Sequence, residues 1–239
     1  MLVTGAAKRI GAAVARAFHG RGARVAVHYH RSQSEAQQLV EQLNALRAHS
    51  AVALGANLLD TAALPGLVER TMETFGRLDV LINNASTFYA TPLETITLEQ
   101  WDDLIGTNLK APLFLAQAAS RHLRQAHGLI VNLIDIHGQR PLLRHPVYST
   151  AKAGLAMLTR SLARELAPDV RVNGIAPGPI LWPDTGMDPA LQDEIVSKTL
   201  LKRSGSPEDV VRAALFFAED APYVTGQILA VDGGRSAGW

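Results

Sequence analysis

The sequence predicts an α/β protein, a single doubly wound parallel sheet of about seven strands with helices on both faces. Three observations carry that prediction. Short apolar runs alternate with helix-length stretches along the whole chain, the pattern of β-α units feeding a parallel sheet. A glycine turn, Thr4-Gly5-Ala6-Ala7-Lys8-Arg9-Ile10-Gly11, joins the first apolar run to the first helical stretch. Later apolar runs stop abruptly at Asn83-Asn84-Ala85-Ser86, at Asp135 and at Pro177-Gly178. Polar and glycine residues at strand ends suit an open α/β sheet, which binds its ligands outside the carboxyl ends of its strands.

In order, Met1-Leu2-Val3 is the stump of a first strand, and its shortness is consistent with a native chain that begins earlier. A helix is expected from Ala12 to about His19, a strand from Arg24 to Tyr29, and a helix from Glu35 to His49. A short strand from Ala51 to Leu54 precedes a helix from about Ala62 to Phe75, with Pro65 tolerated in its first turn. Leu78 to Ile82 reads as a buried strand. A long helical stretch follows Leu98 and contains Asn108, with Pro112 expected to bend it. Leu129 to Ile134 is another buried strand, and a helix is expected from Val147 onward. Arg171 to Ile175 forms a sixth strand, and the polar, proline-rich stretch from Pro179 to Pro189 reads as a mobile loop. Two short helices and a last strand, Gln227 to Val231, complete the chain. Residues 1–239 therefore read as one domain, with a substrate loop at about 178–205.

Composition narrows the function classes. The chain has 239 residues, 47% of them hydrophobic, enough to bury a full core. A formal net charge of +1 provides no basic footprint for nucleic acid and no acidic tail. The absence of cysteine excludes disulfides, thiolate metal sites and a cysteine nucleophile, and fits a cytoplasmic location. No apolar run reaches the roughly 18 residues of a membrane span, and the start of the chain leaves no room for a signal peptide. The histidines, His137 and His145 among them, lack metal-ligand spacing and are read as surface or loop residues, so no metal is expected.

Chemistry is concentrated in two places. The glycine turn between strand and helix would present backbone N–H groups to a pyrophosphate at the positive end of a helix. After the second strand, where an acidic residue usually holds the ribose 2′-hydroxyl of NAD, the chain has His30, Arg31 and Ser32. A cation with hydroxyl support suits a 2′-phosphate, so NADP(H) is the expected cofactor. Tyr148 and Lys152 stand one helical turn apart, and a cation near the phenol would lower its pKa from about 10 toward the working range.

From end to end these motifs resemble the short-chain dehydrogenase/reductase family: TGAAKRIG, NNAS, Asn108, YSTAK and Pro177-Gly178 occur in the family's order. The resemblance implies a Rossmann-type fold, a nicotinamide cofactor and a homotetramer or homodimer. It makes Tyr148 the proton donor, gives Lys152 the nicotinamide ribose as well as the phenol, and has Asn108 hold a water of the proton relay. It also places Gly5, Lys8, Arg9, Ile10, Gly11, Asn57, Leu58, Asn84, Ala85, Ser86, Pro177, Gly178 and Ile180 against the cofactor. Asn57 stands where the family usually has aspartate beside the adenine.

Three departures are informative: Arg9 replaces a glycine of the first motif, Ser86 replaces the glycine after Asn-Asn-Ala, and Asp135 takes the usual serine position. With HYHRS and NNASTFY, this pattern is similar to the pteridine reductases and bacterial dihydromonapterin reductases of the family. That similarity implies a pterin substrate, contacted by Arg9 and Ser86 and stacked on Phe88, with Trp182 a candidate to close over it. An ionised Asp135 would raise the Tyr148 pKa, so it is protonated for part of the cycle or couples to the phenol through water. The alternatives are a carbonyl or 3-oxoacyl thioester reductase of the same family, or a cofactor-binding regulator without catalysis.

Overall fold

The structure, a computed structural model, describes residues 1–182 and 186–238. Seven strands form one sheet: β1 (Leu2–Val3), β2 (Val25–Tyr29), β3 (Ala51–Gly55), β4 (Val80–Asn83), β5 (Leu129–Leu133), β6 (Arg171–Pro177) and β7 (Ile228–Val231). Their order is β3-β2-β1-β4-β5-β6-β7, and every neighbouring pair is parallel. The chain winds outward from β1 to β3 and then restarts at β4 in the other direction. The carboxyl ends of β1 and β4 therefore flank the switch point, where an open sheet leaves a crevice.

Successive residues of a strand face opposite sides, so each strand supplies both layers of the core. Val3, Val27, Ile82 and Val131 pack against Val14 and Phe18 of helix α1 (Arg9–Gly20), Leu39 of α2 (Gln33–Leu46) and Val210 of α8 (Pro207–Leu215). Their neighbours Leu2, Ala26, Leu81 and Ile130 pack on the other face against Leu67 of α3 (Leu64–Phe75), Leu115 of α5 (Ala111–Gln125) and Leu162 of α6 (Pro146–Leu166). This is the predicted doubly wound architecture.

A buried polar thread crosses that second layer. Asn83 Nδ2 donates to Asn132 Oδ1 (2.8 Å), and Asn132 Nδ2 donates to Thr159 Oγ1 (2.9 Å), joining β4, β5 and α6. It fixes α6, which carries Tyr148 and Lys152, to the sheet centre.

The expected long helix after Leu98 is interrupted. α4 (Leu98–Ile105) passes into a wide π turn, Gly106–Lys110, before α5 begins. Pro112 lies in the first turn of α5, where its missing N–H costs nothing, so it starts a helix instead of bending one. Beyond β6, α7 (Pro189–Ser197) occupies part of the expected substrate loop; positions 183–185 of that loop lie outside the described residues. No helix among the described residues is long and apolar enough to cross a membrane.

Candidate active site

The glycine turn is held by close packing on the loop after β4. Gly5 has φ +60, and a Cβ there would lie 2.8 Å from Ala85 Cα. A Cβ on Gly11 would come within 2.5 Å of both Asn84 Nδ2 and Gly5 O. Asn84 Nδ2 donates to Thr4 O (2.8 Å) and Gly5 O (3.0 Å), and Thr4 Oγ1 accepts from the Asn84 and Ala85 amides at 3.0 Å each. The first bond of α1 runs from Ala12 N to Lys8 O (3.1 Å), so the amides of Arg9, Ile10 and Gly11 have no partner within the helix. These three residues line a cleft of about 730 Å³ over the switch point.

The walls of that cleft contain most of the residues expected to touch a dinucleotide. Gly5, Lys8, Asn84, Ala85 and Ser86 lie on the turn side, Asn57 and Leu58 on the opposite side, and His30 and Arg31 at the end of β2. Ser32 is placed differently: it precedes α2, its hydroxyl makes no capping bond, and it is not among the lining residues. Lys8 Nζ pairs with Glu35 at 2.5 Å. Asn57 Oδ1 accepts from the Leu59 amide (3.1 Å), leaving one lone pair for a further donor. A turn without room for side chains, amides free of helical partners and a cluster of cations fit a dinucleotide with several phosphates.

Arg9 adopts φ +54, left-handed backbone that glycine tolerates and a side chain makes unfavourable by ~1–2 kcal/mol. Its guanidinium donates to the Trp182 carbonyl (3.1 Å), joining the glycine turn to the loop after β6. Trp182 thus reaches the site through its backbone, while Leu181 lines the adjacent cavity.

That cavity, of about 200 Å³, adjoins the cleft, the two sharing Arg9, Ile10, Asn84 and Ser86. Asp135, Tyr148 and Lys152 line it, opposite Pro177, Gly178 and Ile180. The Tyr148 hydroxyl donates directly to Asp135 Oδ2 (2.8 Å), and Asp135 Oδ1 accepts from the His137 amide (2.8 Å). The link between carboxylate and phenol is thus a direct hydrogen bond, without an intervening water. Lys152 is buried, donates to Leu133 O (3.0 Å), and places Nζ 5.6 Å from the centre of the Tyr148 ring.

The electrostatics run against the simple expectation for Tyr148. Burial, then the Asp135 charge and its hydrogen bond, push the phenol well above 10, and Ser86 opposes them only in part. The lowering expected from Lys152 is outweighed in this state, and the phenol keeps its proton. Burial lowers the Lys152 ammonium to about 8, with Asp135 opposing.

Three other residues make contacts that the sequence alone does not reveal. The side-chain amide of Asn108, the residue expected to hold a water of the proton relay, is bonded at both its oxygen and its nitrogen. Its Oδ1 accepts from Ser86 Oγ (2.6 Å), and its Nδ2 donates to Thr87 O (3.0 Å) and Leu104 O (2.9 Å). His145, read as a surface or loop residue, does lie in the loop that precedes α6, and its ring stacks on Phe88 at 4.8 Å and 11°. Phe88, 50% exposed, also meets the Tyr148 ring edgewise at 4.8 Å and 76°. His28 was grouped with the surface histidines and is buried beside the glycine turn. The available signal was its position inside an apolar strand. No cluster of metal-ligating side chains occurs among the described residues.

A switch-point cleft adjoining buried Tyr148 and Lys152 and half-buried Asp135 fits a dinucleotide-binding α/β oxidoreductase. Residues 5–236 match a family model described as Enoyl-(Acyl carrier protein) reductase. The chain is 37% identical over 277 residues to Pteridine reductase 1 of Leishmania tarentolae, covering 98% of this chain and 95% of that protein. It is 38% identical over 240 residues to the 3-oxoacyl-[acyl-carrier-protein] reductase FabG of Staphylococcus aureus, covering 98% and 96%. The chain belongs to the short-chain dehydrogenase/reductase family, whose chemistry is NAD(P)H-dependent oxidation and reduction. Overall identity does not separate the two activities, so the choice rests on the site.

Proposed function

We propose that the protein is an NADPH-dependent reductase of dihydropteridines. The observation that carries this reading is the hydrogen bond from Tyr148 to Asp135 (2.8 Å) in the inner cavity. An ionised carboxylate only accepts hydrogen bonds, and it repels the oxyanion that develops when a ketone is reduced. A pterin instead brings N–H and amino donors on one edge, which a carboxylate can receive. The half-exposed Phe88 ring beside Tyr148 adds an aromatic surface for a flat, electron-poor bicycle.

NADPH, bound along the cleft with its 2′-phosphate toward His30 and Arg31, would supply the hydride. The proton for the adjacent ring nitrogen falls to this chain. In the ionised pair Tyr148 is a poor acid, since Asp135 stabilises the neutral phenol. When Asp135 takes up a proton, the charge that raises the phenol disappears and Tyr148 becomes the stronger donor. Lys152, fixed beneath the phenol, then stabilises the phenolate left behind. Arg9 and Ser86 at the junction of cleft and cavity would orient the pterin beside the cofactor.

The test is NADPH oxidation with dihydrobiopterin or dihydromonapterin, compared with an acetoacetyl thioester, on the parent protein and on Phe88→Ala and Asp135→Ser. Pterin turnover that weakens in both variants is expected. Strong thioester turnover with none on dihydropterins would assign the protein to the acyl-thioester reductases instead.

A further inference from the structure

His28 sits in β2, 1% exposed, and also lines the dinucleotide cleft. Its side chain bridges the glycine turn and the Ala56 segment. Its Nδ1 accepts from the Gly5 amide at 3.1 Å, and its backbone carbonyl accepts from the next amide, Ala6, at 2.9 Å. The other ring nitrogen, Nε2, lies 3.2 Å from Ala56 O. An acceptor at Nδ1 and a carbonyl at Nε2 are satisfied together by one species, the neutral ring with its proton on Nε2.

We propose that His28 is a positioning residue that sets the separation between the glycine turn and the Ala56–Leu58 wall, so that the pyrophosphate and the adenine of one dinucleotide are met by a preformed cleft. Two consecutive amides of the turn are held by this one residue and are unavailable to a ligand. The amides of Ile10 and Gly11, without a partner inside α1, face the phosphates in this arrangement. On its opposite side the turn is already fixed by Thr4 and Asn84. His28 therefore supplies a further constraint, and it connects the turn to the wall carrying Asn57 and Leu58. Burial supports the neutral form. The inference rests on the family's dinucleotide and is independent of the substrate reading.

Replacement by phenylalanine fills the space and removes both ring contacts. Asparagine places Oδ1 near the position of Nδ1 and can keep the Gly5 bond, whereas glutamine reaches toward Ala56 and forfeits the Gly5 bond. Dissociation constants for NADPH, NADH and adenosine 2′-monophosphate would be measured on the three variants, with melting temperatures alongside. A buried N–H left without a partner corresponds to roughly tenfold to hundredfold in affinity. His28→Phe is expected to weaken NADPH and NADH by a common factor in that range. Adenosine 2′-monophosphate, which has no 5′-phosphate to reach the glycine turn, should change less than about threefold on the same scale. His28→Asn should bind NADPH more tightly than His28→Gln even where their melting temperatures agree. Losses that follow melting temperature alone, or NADPH binding by His28→Phe within about twofold of the parent, would overturn the proposal. If His28→Phe does not fold, the Asn–Gln comparison decides, and equal or reversed affinities count against the proposal.

Discussion

At the scale of single residues, the site is governed by a conflict between a carboxylate and an ammonium over one phenol. Asp135 touches the Tyr148 hydroxyl, while Lys152 lies under the ring and donates to a backbone carbonyl. Burial first, and then the touching Asp135 charge, move the Tyr148 pKa up. Asp135→Asn removes that charge and keeps the size. The phenol should titrate at lower pH in an ultraviolet difference titration, while kcat for dihydropterin falls more than KM rises, because the variant cannot carry a proton. An unchanged kcat would show that Asp135 stands outside the proton path. Tyr148→Phe should abolish turnover and leave NADPH affinity nearly intact, which a binding titration beside the activity assay checks. Arg31 governs a separate choice. A charge-assisted bond to a 2′-phosphate is worth about 1.5–3 kcal/mol. Arg31→Ala should therefore reduce NADPH kcat/KM by roughly tenfold to a hundredfold and spare NADH. Equal losses with both cofactors would remove the 2′-phosphate assignment.

At the scale of elements, strand ends carry the chemistry and one helix irregularity holds it in place. The π turn Gly106–Lys110 widens the helix where Asn108 turns inward, and its side chain grips Ser86 and Thr87 on the loop after β4. Such bulges occur often at functional sites. Here the bulge connects the α4–α5 layer to the residue that bridges cleft and cavity. Asn108→Ala should cost about 2–3 kcal/mol, since it strips partners from several buried groups at once. For a chain of this size that lowers Tm by on the order of 5–10 °C. Ser86 should loosen with it and the dihydropterin KM should rise, so a melting curve and a substrate titration on one variant test both effects. A normal Tm would mean that the loop is held by other contacts. Strands and helices were legible in the sequence to within a few residues, because apolar runs and amphipathic stretches differ in period. The π turn was not, because the Asn108 contacts that accompany it reach a loop some twenty residues away along the chain.

At the scale of the whole molecule, a winding reversal creates the crevice, and buried polar groups fix its shape. That design is sensitive to acid. His28 is held down to about 4 by burial, with His30 and Arg70 adding to the depression and the Ala56 carbonyl opposing it. A base whose folded pKa is depressed favours folding fully above its unfolded value, near 6.5, and loses that contribution as the pH falls toward 4. The shift corresponds to about 3 kcal/mol. Urea unfolding near neutrality and near pH ~4.5 should show this loss in the parent, and it should be much smaller in His28→Asn. Equal acid sensitivity in the two proteins would place the titrating group elsewhere. The sequence by itself determined the parallel α/β architecture, the glycine turn, the basic end of β2 and the Tyr148–Lys152 spacing, because each is written in residues close together along the chain. Only the tertiary structure decided that Asp135 bonds Tyr148 directly, that Asn108 clamps a loop, that His145 covers one face of Phe88 and that His28 ties the turn to Ala56. Those contacts join residues on different strands and loops, and their distances exist only once the sheet is wound and both of its faces are packed.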